Sequence, residues 1–132
     1  MNIETVALVA AALLALAVAF QVGLAAGAPW GAAAYGGRAV PGSGTLPVAY
    51  RCASGVAALI LLGAGWVVLA SASLVGRGPL SDLVLTTLLW CLTAVLVLNT
   101  LGNVRGRHPV ERWGAGGVTA LLAVLCAVMA AS

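Results

Sequence analysis

Acidic side chains are nearly missing from this sequence: Glu4, Asp82 and Glu111 are the only ones in 132 residues, and there is no lysine. Pumps and proton or cation relays are marked by ionisable groups deep inside apolar segments, and none stands at such a depth here. The single histidine, His108, lies between Arg107 and Pro109 and reads as part of a solvated turn. No Ser, Cys or carboxylate partner is implied by its spacing, so a positioned acid, base or nucleophile is not evident. Cys52, Cys91 and Cys126 fall in three different apolar stretches and form no CxxC or Cys/His spacing. Neither a metal centre nor a disulfide framework is expected from them, and they read as small buried hydrophobes. Nucleic-acid binding lacks both a basic face and a stacking platform. No cofactor or metal is expected.

What the chain has in quantity is apolar sequence. Hydrophobic residues make up 63% and charged residues 7%, against about 25% charged in an ordinary soluble domain. Residues 5–28, 48–71, 83–101 and 114–131 are each apolar, with no proline inside, and a span needs about 20 such residues to cross a core of about 30 Å. The expected fold is all-α: one integral membrane domain over residues 1–132, a membrane-embedded four-helix bundle. A cleaved signal peptide competes for the first stretch, because Ala26-Gly27-Ala28 has the small residues of a processing site. The first four residues carry no basic side chain, however, and the stretch is longer than a usual h-region, so the helix is expected to be retained.

All six basic residues are arginine. Arg38 and Arg51 flank the first connection, Arg105, Arg107 and Arg112 lie in the third, and Arg77 alone is in the second. Basic residues near helix ends stay on the cytoplasmic side. This predicts a multi-pass inner-membrane protein with the first and third loops inside and both termini outside. The abundance of Ala, Gly, Val, Leu and Arg suggests a GC-rich bacterial genome.

The second and fourth stretches begin alike. Pro47-Val48 precedes Ala53-x-Gly55-Val56-x-Ala58-Leu59, and Pro109-Val110 precedes Ala115-x-Gly117-Val118-x-Ala120-Leu121 at the same offset. A duplicated helical hairpin would give two halves of like orientation about an axis along the bilayer normal. Matches among such common residues also arise by chance, so duplication remains one of two readings. Gly55, Gly63 and Gly65, with Gly114, Gly116 and Gly117, are read as packing residues, since small side chains let backbones approach in lipid.

The first connection, Pro29 to Pro47, contains Pro41, Gly42, Trp30, Tyr35 and Arg38. It exceeds the roughly 2 to 8 residues usual between antiparallel helices. Trp30 and Tyr35 are expected to anchor at the headgroup level, with a lid folded back over the bundle as the alternative.

Polar residues within the spans gather toward one end: Gln21, Arg51, Ser54 and Asn99, followed by Asn103. Arg105, Arg107, Glu111 and Arg112 lie near them in sequence. Asn99 and Asn103 share a helix face if the helix runs through both, as do Arg51 and Ser54. Amides, a hydroxyl and guanidinium groups suit an anionic or strongly hydrogen-bonding ligand. The competing structural account is that the arginines snorkel to headgroups and that Glu111 pairs with Arg112 or Arg51 to tie helix ends together. Trp90 stands deeper than an interfacial anchor should; core packing or a cavity wall would account for it. Asp82 or Ser81 could cap the third helix. The candidate ligand contacts are therefore Gln21, Arg51, Ser54, Asn99, Asn103, Tyr35, Arg38, Arg105 and Trp90.

Gly27-Ala28-Pro29-Trp30-Gly31, Tyr35-Gly36-Gly37 and the run Leu98 to Asn103 ahead of Glu111-Arg112 resemble small bacterial four-helix membrane proteins with no assigned activity. The resemblance covers most of the chain and implies the fold alone. Small multidrug exporters and fluoride channels are similar in length and helix count. The deep acidic residue of the first is missing, as are the paired phenylalanines and Thr/Ser-rich motif of the second.

The leading expectation is a binding or transport protein for a small polar or anionic molecule, or a lipid headgroup, at the cytoplasmic mouth. An accessory subunit of a larger membrane complex is the alternative. A membrane enzyme acting on a lipid or isoprenoid, which would rest on Glu111 and His108, comes third. The expected partners are membrane lipids and such a ligand, with a homodimer as the easiest way to enclose a pathway.

Overall fold

The computed structural model describes residues 2–39 and 44–132, so Pro41 and Gly42 of the first loop lie outside the described residues. The fold is an all-α four-helix bundle of α1 (Ile3–Ala26), α2 (Val48–Ser71), α3 (Asp82–Val104) and α4 (Gly116–Ala130). A π-helical turn, Val110–Ala115, leads directly into α4, and short 3-10 turns at Gly31–Ala33 and Tyr35–Gly37 shape the first loop. At about 1.5 Å rise per residue, the 24 residues of α1 exceed what a hydrocarbon core of about 30 Å requires. Four helices are long and apolar enough to cross a membrane, and only 17% to 33% of each span is buried inside the bundle. Most of the apolar surface therefore faces outward, the arrangement of a chain solvated by lipid.

Helix boundaries differ from the sequence expectation where local chemistry intervenes. α1 stops at Ala26, because Gly27 adopts φ 95° and starts the exit turn. α3 runs on to Val104, placing Asn99 and Asn103 on one helix. The fourth helical segment begins at Val110, directly after Pro109, whose φ of −57° already suits a first turn. Ser81, rather than Asp82, caps α3 by accepting from Val84 N–H at 3.4 Å, and Asp82 instead pairs with Arg77.

α1 lies along α2 and α3 along α4, and the two hairpins meet through narrower α1–α4 and α2–α3 seams. Exchange of the hairpins about a central axis would preserve this pairing, as would any up-and-down ring of four. The centre is filled by Val6, Leu14, Val68, Leu89, Leu122 and Cys126, with Ala7 and Ala10 fully buried where α1 turns inward.

The glycines do not behave as a group. A Cβ on Gly63, Gly65 or Gly117 would meet nothing within 4 Å, so these three are not packing residues within the chain. Gly116 is one: its Cβ would stand 3.2 Å from Val104 Cγ1 where α3 and α4 converge. Trp90, at 49% exposure, points outward and fills no part of the core.

Candidate functional site

The up-and-down topology brings the first and third connections to the same end of the bundle, and the first loop is built from the end of α1 onward. Gly27 N–H donates to Leu24 O at 3.1 Å and Ala28 N–H to Gly23 O at 2.9 Å, a Schellman closure that needs a left-handed residue at Gly27. Arg51 Nε donates to the next open carbonyl, Ala25 O, at 3.0 Å. Three carbonyls that the helix end would strand are thereby satisfied.

Beyond Pro29 the chain returns over the bundle. Trp30 stacks on Phe20 with ring centroids 6.1 Å apart and planes 5° from parallel, and its ring lies on the bare face of Gly23. Gly31 N–H donates to Gly44 O at 2.8 Å, drawing the two limbs of the loop together. Beneath them Leu24, Ala34 and Leu46 are buried with Phe20 and Ala39 packed on them, a small core separate from that of the spans.

Side-chain hydrogen bonds hold this part of the loop, among them one from the Tyr35 hydroxyl to Tyr50 O at 3.4 Å. The Tyr35 hydroxyl is 2.9 Å from Ser54 Oγ, and Tyr35 sits edge-on to Tyr50 at 5.0 Å. Gly36 N–H donates to Glu111 Oε1 at 2.7 Å. Tyr35 takes a left-handed φ of 52°, followed by Gly36 at 74° and Gly37 at 67°. That conformation is uncommon for a tyrosine and persists where its surroundings hold it. The loop is therefore folded back as a lid. Trp30 and Tyr35 stay 48% and 38% exposed, so each keeps one face on the bundle and one outside it.

Glu111 occupies the other side of this closure, on the π-helical turn, a geometry frequent at functional positions. It is 5% exposed, and neither Arg112 nor Arg51 pairs with it; Arg77–Asp82 is the one salt bridge among the described residues. Arg51 Nε instead donates to Ala25 O at the end of α1, and Arg112 Nε donates at 3.3 Å to Gly106 O. Glu111 Oε2 is buried without a hydrogen-bond partner, and a Cβ on Gly106 would lie 2.6 Å from the carboxyl carbon. Only glycine leaves room for the carboxylate at that point.

The candidate contacts do not come together as one set. Tyr35, Ser54 and Arg51 come together beneath the lid, each engaged with the protein itself. Gln21 is half-buried near the end of α1, its Oε1 sealed from solvent without a hydrogen-bond partner. Asn103 turns toward α4 and donates to Thr119 Oγ1 at 3.4 Å, with Thr100 Oγ1 2.9 Å from the same atom, so this polar patch ties α3 to α4. Arg38 and Arg105 are exposed. Asn99 and Trp90 are exposed on α3 and are not brought together with the others. The nine residues do not line one common cavity.

At this end there is an open groove of about 410 Å³ lined by Phe20, Pro29, Trp30, Ala32, Ala33, His108 and Val110. Sequence reasoning missed it because its walls come from α1 and both loops, and its lining residues are ordinary apolar types. His108 is half-buried there in the bend ahead of the last helical segment, and its Nδ1 accepts from Val110 N–H at 3.2 Å. A second groove, about 260 Å³ between Leu14, Val18, Leu61 and Trp66, is apolar throughout. No protein family, curated protein or solved structure compared with this chain matches it.

Proposed function

We propose that the chain is a membrane-embedded binding or carrier protein whose arginine-rich end, turned to the cytoplasm, receives an anionic or strongly hydrogen-bonding small molecule or lipid headgroup. One observation carries this reading. Arg38, Arg51, Arg105, Arg107 and Arg112 share one end, and no carboxylate pairs with any of them among the described residues, whereas Arg77 at the opposite end is paired with Asp82. Arg51 and Arg112 each commit Nε to a backbone carbonyl, which orients the guanidinium while its terminal nitrogens keep donors for an oxyanion. Orientation by the positive-inside rule explains why arginines are at that end. It does not explain why two of them are held by backbone carbonyls, Arg51 by Ala25 O at the end of α1 and Arg112 by Gly106 O.

The test is thermal unfolding of the purified chain in a neutral detergent, with and without inorganic phosphate. Phosphate should raise the midpoint, and Arg107→Gln, which removes a guanidinium not bonded within the chain, should reduce the rise while leaving the unliganded midpoint unchanged. Equal response to phosphate and to chloride at matched ionic strength would refute anion recognition.

A second reading, an accessory subunit, is favoured by the open space beside Gly63, Gly65 and Gly117. Small residues with nothing against them offer close approach to a helix of another chain. Light scattering of the native complex distinguishes the two, because a subunit purifies with a stoichiometric partner.

A further inference from the structure

We propose that the groove between Trp30 and Val110 holds the hydrocarbon part of a phosphate-bearing anionic membrane lipid, with His108 and Arg107 binding its phosphate at the rim. This rests on the anion-binding function and gives that function a ligand class. The groove, about 410 Å³, falls in the range of small-molecule sites. Its walls are apolar apart from His108. Phe20 belongs to the first span and Val110 opens the last, so the groove lies where a span meets the basic end. A free phosphate ion would leave those walls uncovered, whereas a lipid chain covers them.

The rim supplies the charge complementarity. Val110 N–H points at His108 Nδ1, which makes that nitrogen the acceptor and leaves the proton of a neutral ring on Nε2. The donating edge of the imidazole is thus kept for something outside the chain. Arg107, the next residue, is exposed and has no carboxylate partner. It also stands beside the lid, its Cβ 3.8 Å from the position of a Gly37 Cβ. The Glu111 carboxylate, which would repel a phosphate, is turned onto Gly36 and Gly106 and is 5% exposed.

The experiment places the full chain in nanodiscs of mixed phosphatidylcholine and phosphatidylglycerol and reads the retained lipid by native mass spectrometry. Wild type should retain phosphatidylglycerol over phosphatidylcholine by about tenfold, a preference worth about 1.4 kcal/mol. Val110→Trp and Ala32→Trp, both at exposed positions on the groove wall, should abolish the preference. Leu59→Ala, at an exposed position on α2 away from the groove, should keep it. On the unaltered chain, a phosphatidylglycerol bearing a photoreactive acyl chain should form adducts within residues 20–33 and 108–110. Full retention in both tryptophan variants, or adducts spread evenly over the outward faces, overturns the groove assignment. If phosphate still stabilises the chain through Arg107 in that case, anion binding stands without the lipid; if that response is also absent, both fail. Both lipids carry a phosphate, so equal retention of the two overturns the selectivity of the rim for a net anionic headgroup.

Discussion

Leu24→Ala should release the first loop while the four spans stay helical. Leu24 is fully buried and lies at the centre of the small core formed with Ala34 and Leu46, apart from the cluster that joins the helices. Truncating a buried leucine costs about 2 to 5 kcal/mol, through lost transfer energy and the cavity left behind. That loss falls on the contacts between lid and bundle, not on those between spans. Arg38 reports it, because a protease cleaves there after local opening, and the rate follows the open population when reclosing is fast. A cost of about 2 kcal/mol raises that population about thirtyfold. Trypsin cleavage after Arg38 should accelerate by that order while circular dichroism stays unchanged. Unaltered cleavage, or loss of helicity together with it, would show that lid and bundle are one cooperative unit.

Gly106→Ala should open the same lid from the other side. The new methyl would overlap the Glu111 carboxylate, so the side chain must leave its place and Gly36 N–H loses its acceptor. Overpacking of this kind costs about 1 to 3 kcal/mol, and an abandoned buried donor about as much again. Glu111→Ala removes the same bond without a clash. The double substitution should therefore be no less stable than Glu111→Ala alone, a strong departure from additivity. Thermal unfolding of the three variants measures it. Additive losses would mean that Gly106 and Glu111 act independently.

The spans were legible because hydropathy and length suffice to find an apolar helix in a chain with so few charges. Their ends were less so: the sequence extends the first apolar run past Gly27, and only the left-handed turn and its three satisfied carbonyls stop the helix at Ala26. The polar residues were found, but their directions were not. Asn99 and Asn103 share a helix, yet Asn103 reaches Thr119 and Asn99 is left on the outside, since a face broad enough for both straddles the edge of the contact with α4. Proximity offers Glu111 the arginines near it in the chain or across the end of the bundle, whereas its partner is the backbone of Gly36 in the other loop. Spacing along a chain carries no information about a bond of that separation. The groove was illegible for the same reason, and Gly23 drew no notice because nothing in the sequence says that Trp30 comes to rest on it.

The unequal ends of the molecule also bear on how copies meet. Five arginines and one buried carboxylate stand at the lid end, and Glu4 with the paired Arg77 and Asp82 at the other. Inverting the chain would carry that excess across the membrane potential, which costs about 2.3 kcal/mol per charge for every 100 mV. On the proposed orientation, with the arginine-rich end in the cytoplasm, dual-topology assembly, in which neighbouring copies point in opposite directions, would be disfavoured. Two copies would sit side by side with their lids on one face, and any rotation relating them would have its axis perpendicular to the bilayer.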